Sequence, residues 1–452
     1  MSSAPVPSPV NGPSLTRALS LWNLVVVGII LIQPTAPMPV YGVVSQEAHG
    51  HVVTTILISM VAMLFTAISF GRMARAYPSA GSAFTYVARE VHPAAGYAIG
   101  WSMALEYILN PLICVVWSAK AALNIWQAPG YAVWAVFFAC LFTFLNLRGI
   151  RSSARINEWM AAGMGLVIFA FLVMAVRYVL RLPHLDTHLF TTPFYDPKTY
   201  STPALFTGTS VAVLTYIGFD GISTLSEEVH NPRRNILLAT VLVLLFTGVS
   251  SAVQVYAAQL IWPQSIPFPD VDTAFVHVAG RAGGVVLFQL VNLTLLVATI
   301  GSGAGSQLAA ARLLYGMGRD NALPKSFFGA IEPIKRIPRN NIVLVGALAL
   351  AGAFVFSYQL GAEMLNFGAF IAFMGVNAAA FVRYFLRAEK KTWSHLAPPV
   401  LGFLICLYIF CSLRTPPLLG GLAWMVLGIA YGAWKTSGFR KNLVTFEVPS
   451  ED

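Results

Sequence analysis

Tyr216-Ile217-Gly218-Phe219-Asp220-Gly221 decides how this chain is read. The stretch lies between Val211 and Leu225, inside an apolar run that otherwise has the character of a membrane helix. Two glycines bracket a carboxylate where the backbone should be helical. A charged side chain at the bilayer centre costs about 2.5–3.5 kcal/mol even on insertion scales, so it normally has a partner and a task. Unwound backbone at membrane depth is tolerated only inside protein or around a cavity. A broken helix holding an acid is a candidate binding site for something polar and cationic.

The surroundings bear out the membrane reading. The chain has 452 residues, of which 57% are hydrophobic and 10% charged, with a mean hydropathy of +0.70. Twelve spans are expected, near 20–44, 52–76, 93–125, 131–148, 156–180, 204–227, 236–262, 283–316, 341–358, 360–386, 396–414 and 417–435. Each is long enough for the roughly 30 Å of hydrocarbon, and spans three and eight are long enough to tilt or project beyond it. The net charge of +10 sorts by topology. Of 28 Lys and Arg, 22 fall in the N-terminus, the even-numbered loops and the C-terminus; the other six are Lys120, Arg177, Arg181, Lys198, Arg281 and Arg414. By the positive-inside rule both termini are cytoplasmic and the loop near 266–281 is external. The basic balance thus speaks for a membrane and not for nucleic acid.

Span one carries Gln33-Pro34-Thr35-Ala36-Pro37-Met38-Pro39, whose three prolines remove backbone donors and forbid a continuous helix. Interruptions in spans one and six, five spans apart, are the pattern of an inverted repeat with a midplane site. The expected organisation is all-α, with twelve transmembrane helices. Residues 19–182 and 200–388 form a 5+5 inverted repeat with broken helices 1 and 6, and 395–436 two appended helices. Residues 1–18 are a Ser/Pro-rich cytoplasmic tail, 19–436 the membrane domain and 437–452 a second tail. Pro78-Ser79-Ala80-Gly81-Ser82-Ala83-Phe84-Thr85-Tyr86 reads as a cytoplasmic turn followed by a short interfacial helix.

Enzyme chemistry finds no support. Cys114, Cys140, Cys406 and Cys411 lie in apolar spans without disulfide or zinc spacing. The eight His sit in loops or at span ends, His277 in the loop before span eight, with no pair at metal spacing and no nucleophile elbow. No cofactor is expected, and with no nucleotide motif the energy source is a gradient of ion or substrate.

Three motifs carry a resemblance: Gly218-Phe219-Asp220-Gly221; Ser226-Glu227-Glu228 with Asn231-Pro232-Arg233-Arg234; and Arg312-Leu313-Leu314-Tyr315 with Arg319-Asp320 and Leu323-Pro324. Together they resemble the amino acid–polyamine–organocation superfamily, from Leu19 to about Lys435. Leu19-Ser20-Leu21, Gln33-Pro34, Tyr77 to Ala83, Gly318-Arg319-Asp320, Pro324-Lys325-Ser326-Phe327-Phe328 and Asn366-Phe367-Gly368-Ala369 are most similar to its bacterial putrescine importers. The resemblance implies secondary active uptake of a small amine or amino acid across the inner membrane, with a proton or sodium ion as coupling ion. No Lys lies in span five, where some proton-coupled relatives carry one.

Amino acid permeases of that superfamily typically hold the substrate carboxylate on bare amides of a Gly-Ser-Gly-like break in span one. Here Pro34, Pro37 and Pro39 occupy that region, which favours a substrate without a carboxylate. Glu106 in span three is a second buried acid, and two acids without a central base attract a dication. Either acid can instead carry a proton or serve as a structural acceptor. The expected substrate-binding set is Gln33, Thr35, Glu106, Tyr107, Asn110, Tyr216, Gly218, Phe219, Asp220, Ser306 and Asn366, with Tyr107, Tyr216 and Phe219 as aromatic walls. Gly301-Ser302-Gly303-Ala304-Gly305-Ser306-Gln307 in span eight reads first as close helix packing, and second as a cavity wall or a cation site on Ser302 and Ser306. Trp101, Trp117, Trp126, Trp262 and Trp424 read as packing or interface residues. A proton-coupled amino acid permease or exchanger of the same fold is the alternative function.

Overall fold

A computed structural model describes residues 19–77, 82–148, 154–183, 187–225, 229–319, 323–335 and 337–438. The two tails, Pro78 to Gly81, Ser226-Glu227-Glu228 and Asp320 to Ala322 lie outside the described residues. The protein is an all-α polytopic membrane protein; among the described residues there is no strand beyond one isolated bridge, Leu19 to Val229. Its helices are α1 (Leu21–Ile32), α2 (Pro37–Glu47), α3 (Val52–Ala76), α4 (Ser82–Glu90), α5 (Pro93–Leu123), α6 (Gly130–Arg148), α7 (Ala154–Val179), α8 (Thr187–Thr191), α9 (Thr202–Ala212), α10 (Gly221–Thr224), α11 (Pro232–Ile261), α12 (Ala274–Arg319), α13 (Lys325–Phe328), α14 (Arg339–Ala353), α15 (Tyr358–Phe381), α16 (Trp393–Cys411) and α17 (Thr415–Lys435).

Among the described residues, ten helical segments are long and apolar enough to cross a membrane. The pair α1–α2, bent by 53°, makes an eleventh when taken as one span. The segment expected as span nine is shorter than expected: α14 has 15 residues, about 22 Å of helix. Its chain turns at Phe354 and Val355, then re-enters α15 through the Ser357 cap, whose hydroxyl accepts from Leu360 N–H at 3.1 Å. Span eight also departs from expectation. Helix starts at Ala274 and turns at Gly284, whose φ of +68° only glycine adopts without strain. His277 therefore sits on a helical turn rather than in a loop. α4 is the short helix expected after span two.

Burial ranks the helices. In α5 72% of the apolar window is buried, and in the α9–α10 stretch 67%, against 22% in each of α16 and α17. α5 is the central post and the last two helices are peripheral. Small residues set the close crossings. A β-carbon at Gly71 of α3 would lie 2.7 Å from Leu237 Cα of α11, and one at Gly248 of α11 would meet Met60 Sδ at 2.3 Å. Trp101 and Trp424 stack at 4.8 Å and exchange indole hydrogen bonds, each ring nitrogen donating to the other residue's carbonyl at 2.8 and 2.9 Å. This pair fastens α17 to α5. Trp117 is buried, whereas Trp22, Trp159, Trp393 and Trp434 are more than two-thirds exposed, as lipid-interface residues are.

Contacts sort the helix ends into two faces. On one, Lys120 pairs with Asp272 at 2.6 Å and Asp270 at 3.3 Å, Arg281 donates to Tyr178 at 2.9 Å, and Arg414 grips Glu363 at 2.7 Å. On the other, Glu90 binds Arg383 at 2.5 Å and Arg387 at 2.8 Å, and Lys335 donates to Leu147 carbonyl at 2.7 Å.

Candidate functional site

The first break runs from Gln33 to Ala36. Ser20 caps the start of α1, and Gln33 ends it with φ +72°, a left-handed conformation that costs a non-glycine residue about 1–3 kcal/mol. The surrounding helices hold it there. Gln33 Nε2 donates to Ala298 carbonyl of α12 at 3.2 Å, and Gln254 Nε2 of α11 donates to Pro34 carbonyl at 3.0 Å. Thr35 is buried, with its hydroxyl 3.8 Å from Met164 Sδ of α7. Pro37 and Pro39 sit in the first turn of α2, where a missing N–H disturbs no helical bond. The amides of Ala36 and Met38 bond inward to Gln33 and Thr35 carbonyls at 3.1 and 3.0 Å. The break therefore presents carbonyls and few free amides, a poor cradle for a carboxylate.

The second break is built differently. α9 tightens into a 3-10 turn over Val213–Tyr216, then Ile217 to Asp220 leave the helix before α10 resumes. Gly218 has φ +112°, and a β-carbon there would stand 3.1 Å from Leu31 carbonyl oxygen and 3.6 Å from Ile32 Cα. The two breaks thus touch, the end of α1 lying on Gly218. Asn366 of α15 is fully buried and donates Nδ2 to Ser210 carbonyl at 2.7 Å and to Val211 at 3.4 Å. It caps carbonyls in the last turn of α9 that the break leaves short of donors. Its Oδ1 is buried without a partner.

Asp220 is nearly buried, and the backbone amides of Gly218, Asp220 and Gly221 turn toward its carboxylate. Glu106 of α5 is also nearly buried and lies under α15, where a β-carbon on Gly368 would meet Ser102 carbonyl at 2.5 Å and Glu106 Cβ at 3.5 Å. Glu106, Asp220 and Tyr107 are close enough for their charges to interact. No ion pair among the described residues involves either acid. Two carboxylates without a base, beside two broken helices, form a centre that attracts cations.

The other expected residues are placed as follows. Tyr107 is half-buried between α5 and α12, and Asn110 accepts from Cys114 Sγ at 3.5 Å. Tyr216 is fully buried and its hydroxyl donates to Ile56 carbonyl at 2.8 Å. Phe219 is fully buried between Phe70 at 5.4 Å and Phe373 at 5.2 Å. Of the three expected aromatic walls, only Tyr107 keeps ring surface free of the interior packing. Ser306 donates back to Gly303 carbonyl at 3.2 Å, and Ser302 reaches Cys114, so both hydroxyls have partners. Gly303 is the packing point of its stretch: a β-carbon there would meet Phe142 Cε2 at 2.3 Å and Cys114 Cβ at 2.9 Å.

Sequence reasoning missed Gln254, although an amide in an apolar span signals a partner in need. It also missed Glu363, a third acid at the start of a span. Arg414 binds it bidentately at 2.7 and 2.8 Å, with Gln359 bridging it to Glu47. Glu90 was also absent from the expected residues; its partners Arg383 and Arg387 stand nearly three hundred positions away, beyond any local pattern.

Comparison with known proteins accords with this geometry. The amino acid permease family matches residues 26–446. The low-affinity putrescine importer PlaP of Escherichia coli (strain K12) is 33% identical over 444 residues, covering 96% of both chains. The methylthioribose transporter of Bacillus subtilis (strain 168) is 25% identical and covers 92% of both chains. The branched-chain amino acid permease BcaP of Lactococcus lactis is also 25% identical, covering 92% of this chain and 93% of its own. These relatives are transporters and not enzymes. A match over nearly the whole chain, on a helical bundle with two touching breaks and two unpaired acids, makes this protein a member of the amino acid permease family.

Proposed function

We propose that this permease imports a small cationic amine, putrescine first, by alternating access around the two breaks. One observation carries the reading: Glu106 and Asp220 stand together without a base, beside a span-one break whose amides are proline-depleted or turned inward. A diamine brings two ammonium groups on an apolar linker, which two separated acids can each receive. A free amino acid would need a carboxylate nest that this break lacks. The likeness to PlaP over 96% of the chain supports the same substrate class. Residues 19–182 and 200–388 are taken as the two inverted repeats, and the Lys120 face as the outer one, by the distribution of basic residues. The protein then resides in the inner membrane with both termini cytoplasmic. A proton or sodium ion is the coupling ion, and one of the two acids would carry the proton if it is a proton.

The test is equilibrium binding and counterflow with Asp220→Asn and Glu106→Gln. Removing one ammonium partner removes a charge-assisted hydrogen bond worth about 1.5–3 kcal/mol, or roughly ten- to a hundredfold in affinity. Glu106→Gln should weaken putrescine more than butylamine if Glu106 takes the second ammonium. If Glu106 carries a proton instead, the variant still exchanges substrate but no longer accumulates it. Unchanged putrescine affinity in both variants, together with tight alanine binding, would overturn the amine reading in favour of an amino acid permease.

A further inference from the structure

The Lys120 face holds a cavity of about 500 Å³, set away from the two breaks. Its size is within the roughly 300–1,000 Å³ of small-molecule pockets. Three segments enclose it: the end of α2 with the turn that follows, the 187–199 stretch, and the end of α11 with the loop to α12. One side is a wall of rings. Trp262 stacks on Phe268 at 5.3 Å, and Phe268 meets the edge of Tyr41 at 5.9 Å. The polar lining is rich in acceptors. Asp196 is its one carboxylate, and no Lys or Arg is among the described residues that line it. Arg281, over the Trp262 ring at 5.4 Å, is committed to Tyr178 and is not part of the lining.

Asp196 is rigidly placed. Its backbone N–H donates to His51 Nε2 at 3.1 Å, its carbonyl receives Thr199 and Tyr200 amides, and its Oδ1 receives Lys198 N–H at 3.0 Å. Gln259 turns its amide nitrogen to Gly50 carbonyl, which leaves Oε1 as an acceptor buried without a partner. Thr199 Oγ1 is likewise buried without a partner. A cavity that offers a carboxylate and an apolar ring wall, with two unpartnered oxygens buried just behind its lining, asks for a cation with a hydrocarbon body.

We propose that this cavity is a second, outer binding station for a primary amine, with Asp196 taking the ammonium and the Trp262–Phe268 wall taking the methylenes. The inference rests on the amine reading of the central site and extends it to a place no relative's name describes. It predicts two saturable sites per chain, one at the breaks and one at the surface.

The experiment is equilibrium binding of radiolabelled putrescine to the full-length protein in lipid nanodiscs. Wild type should bind two molecules. Asp196→Asn should remove the outer one, or weaken it at least tenfold, and leave the central one intact. Asp220→Asn should do the converse. As a check that does not alter the carboxylate, Pro267→Cys, at the cavity's exposed lining, is blocked with a bulky membrane-impermeant maleimide and should lose the same site as Asp196→Asn. One site in wild type, or two unchanged sites in both Asp196→Asn and the blocked Pro267→Cys protein, overturns the outer station while leaving the central reading standing. Absence of any putrescine binding in wild type overturns the central reading, and the outer station falls with it.

Discussion

Spans one and six both break at membrane depth, yet they break by opposite means. Span one is bent by 53° at a proline and a strained glutamine; the Gln254 amide of α11 holds its Pro34 carbonyl, and its own Gln33 amide reaches out to the Ala298 carbonyl of α12. Span six unwinds through a 3-10 turn into a glycine of positive φ, and a single asparagine from α15 caps its carbonyls. Span one contributes acceptors with no formal charge; span six contributes the carboxylate. The contrast teaches that a break is defined less by the residue that interrupts the helix than by who receives the orphaned backbone groups.

The largest effect expected from breaking this pairing is at Gly218. Gly218→Leu places a branched side chain at φ +112° against Leu31 carbonyl, and should reduce uptake to background in protein that still reaches the membrane. Gly221→Ala is the contrast. Its β-carbon would meet only Leu31 Cδ1 at an ordinary 3.4 Å, so uptake should stay within about twofold. Equal loss in both would show that the break needs general flexibility and not one left-handed residue.

Next is the cap of span six. Asn366→Leu removes the side-chain donor to the Ser210 carbonyl, at about 1–3 kcal/mol. Uptake should fall roughly tenfold and the melting temperature should drop. The matching change in span one, Gln254→Leu, should cost less, because Gln33 still ties the break to Ala298. A larger loss for Gln254→Leu, measured as uptake per folded molecule, would reverse the ranking of the two breaks. The smallest effect on transport is expected at Gly303→Ala. The added methyl overlaps Phe142, so folded yield should fall while putrescine affinity per folded molecule stays the same.

The breaks were legible because they violate local rules. Glycines around a carboxylate and prolines in an apolar run have no place in an ordinary membrane helix, and both interruptions fall where they were expected. Long apolar periods fixed span two to its end residues, 52–76. What the sequence did not disclose is direction. Tyr216 and Phe219 were expected as walls, but the helix unwinds between them, so the 3.6-residue phase that tells one face from another is lost there. Their rings point into packing against α3 and α15 instead. The turn from Ala274 to Gly283 was read as loop because Asp272, His277 and Arg281 dilute its apolar pattern. Phe275, buried against Tyr41 at 5.5 Å and Phe171 at 4.7 Å, anchors that turn to the core.

The bridge between Leu19 and Val229, closed by His230 N–H on Leu19 carbonyl at 2.9 Å, has a mechanical consequence. It joins the segment entering α1 to the one leaving α10, while Gly28 of α1 lies directly on Ile222 of α10. Two half-helices stitched at the surface and interlocked below it should move as one lever with a single pivot. A reporter pair on Leu19 and Val229 should keep a constant spacing through the cycle, whereas a pair from Leu19 to Lys335 should alternate between two distances. That outcome would mean that this face opens by the motion of one rigid body, and not of two arms that must find each other.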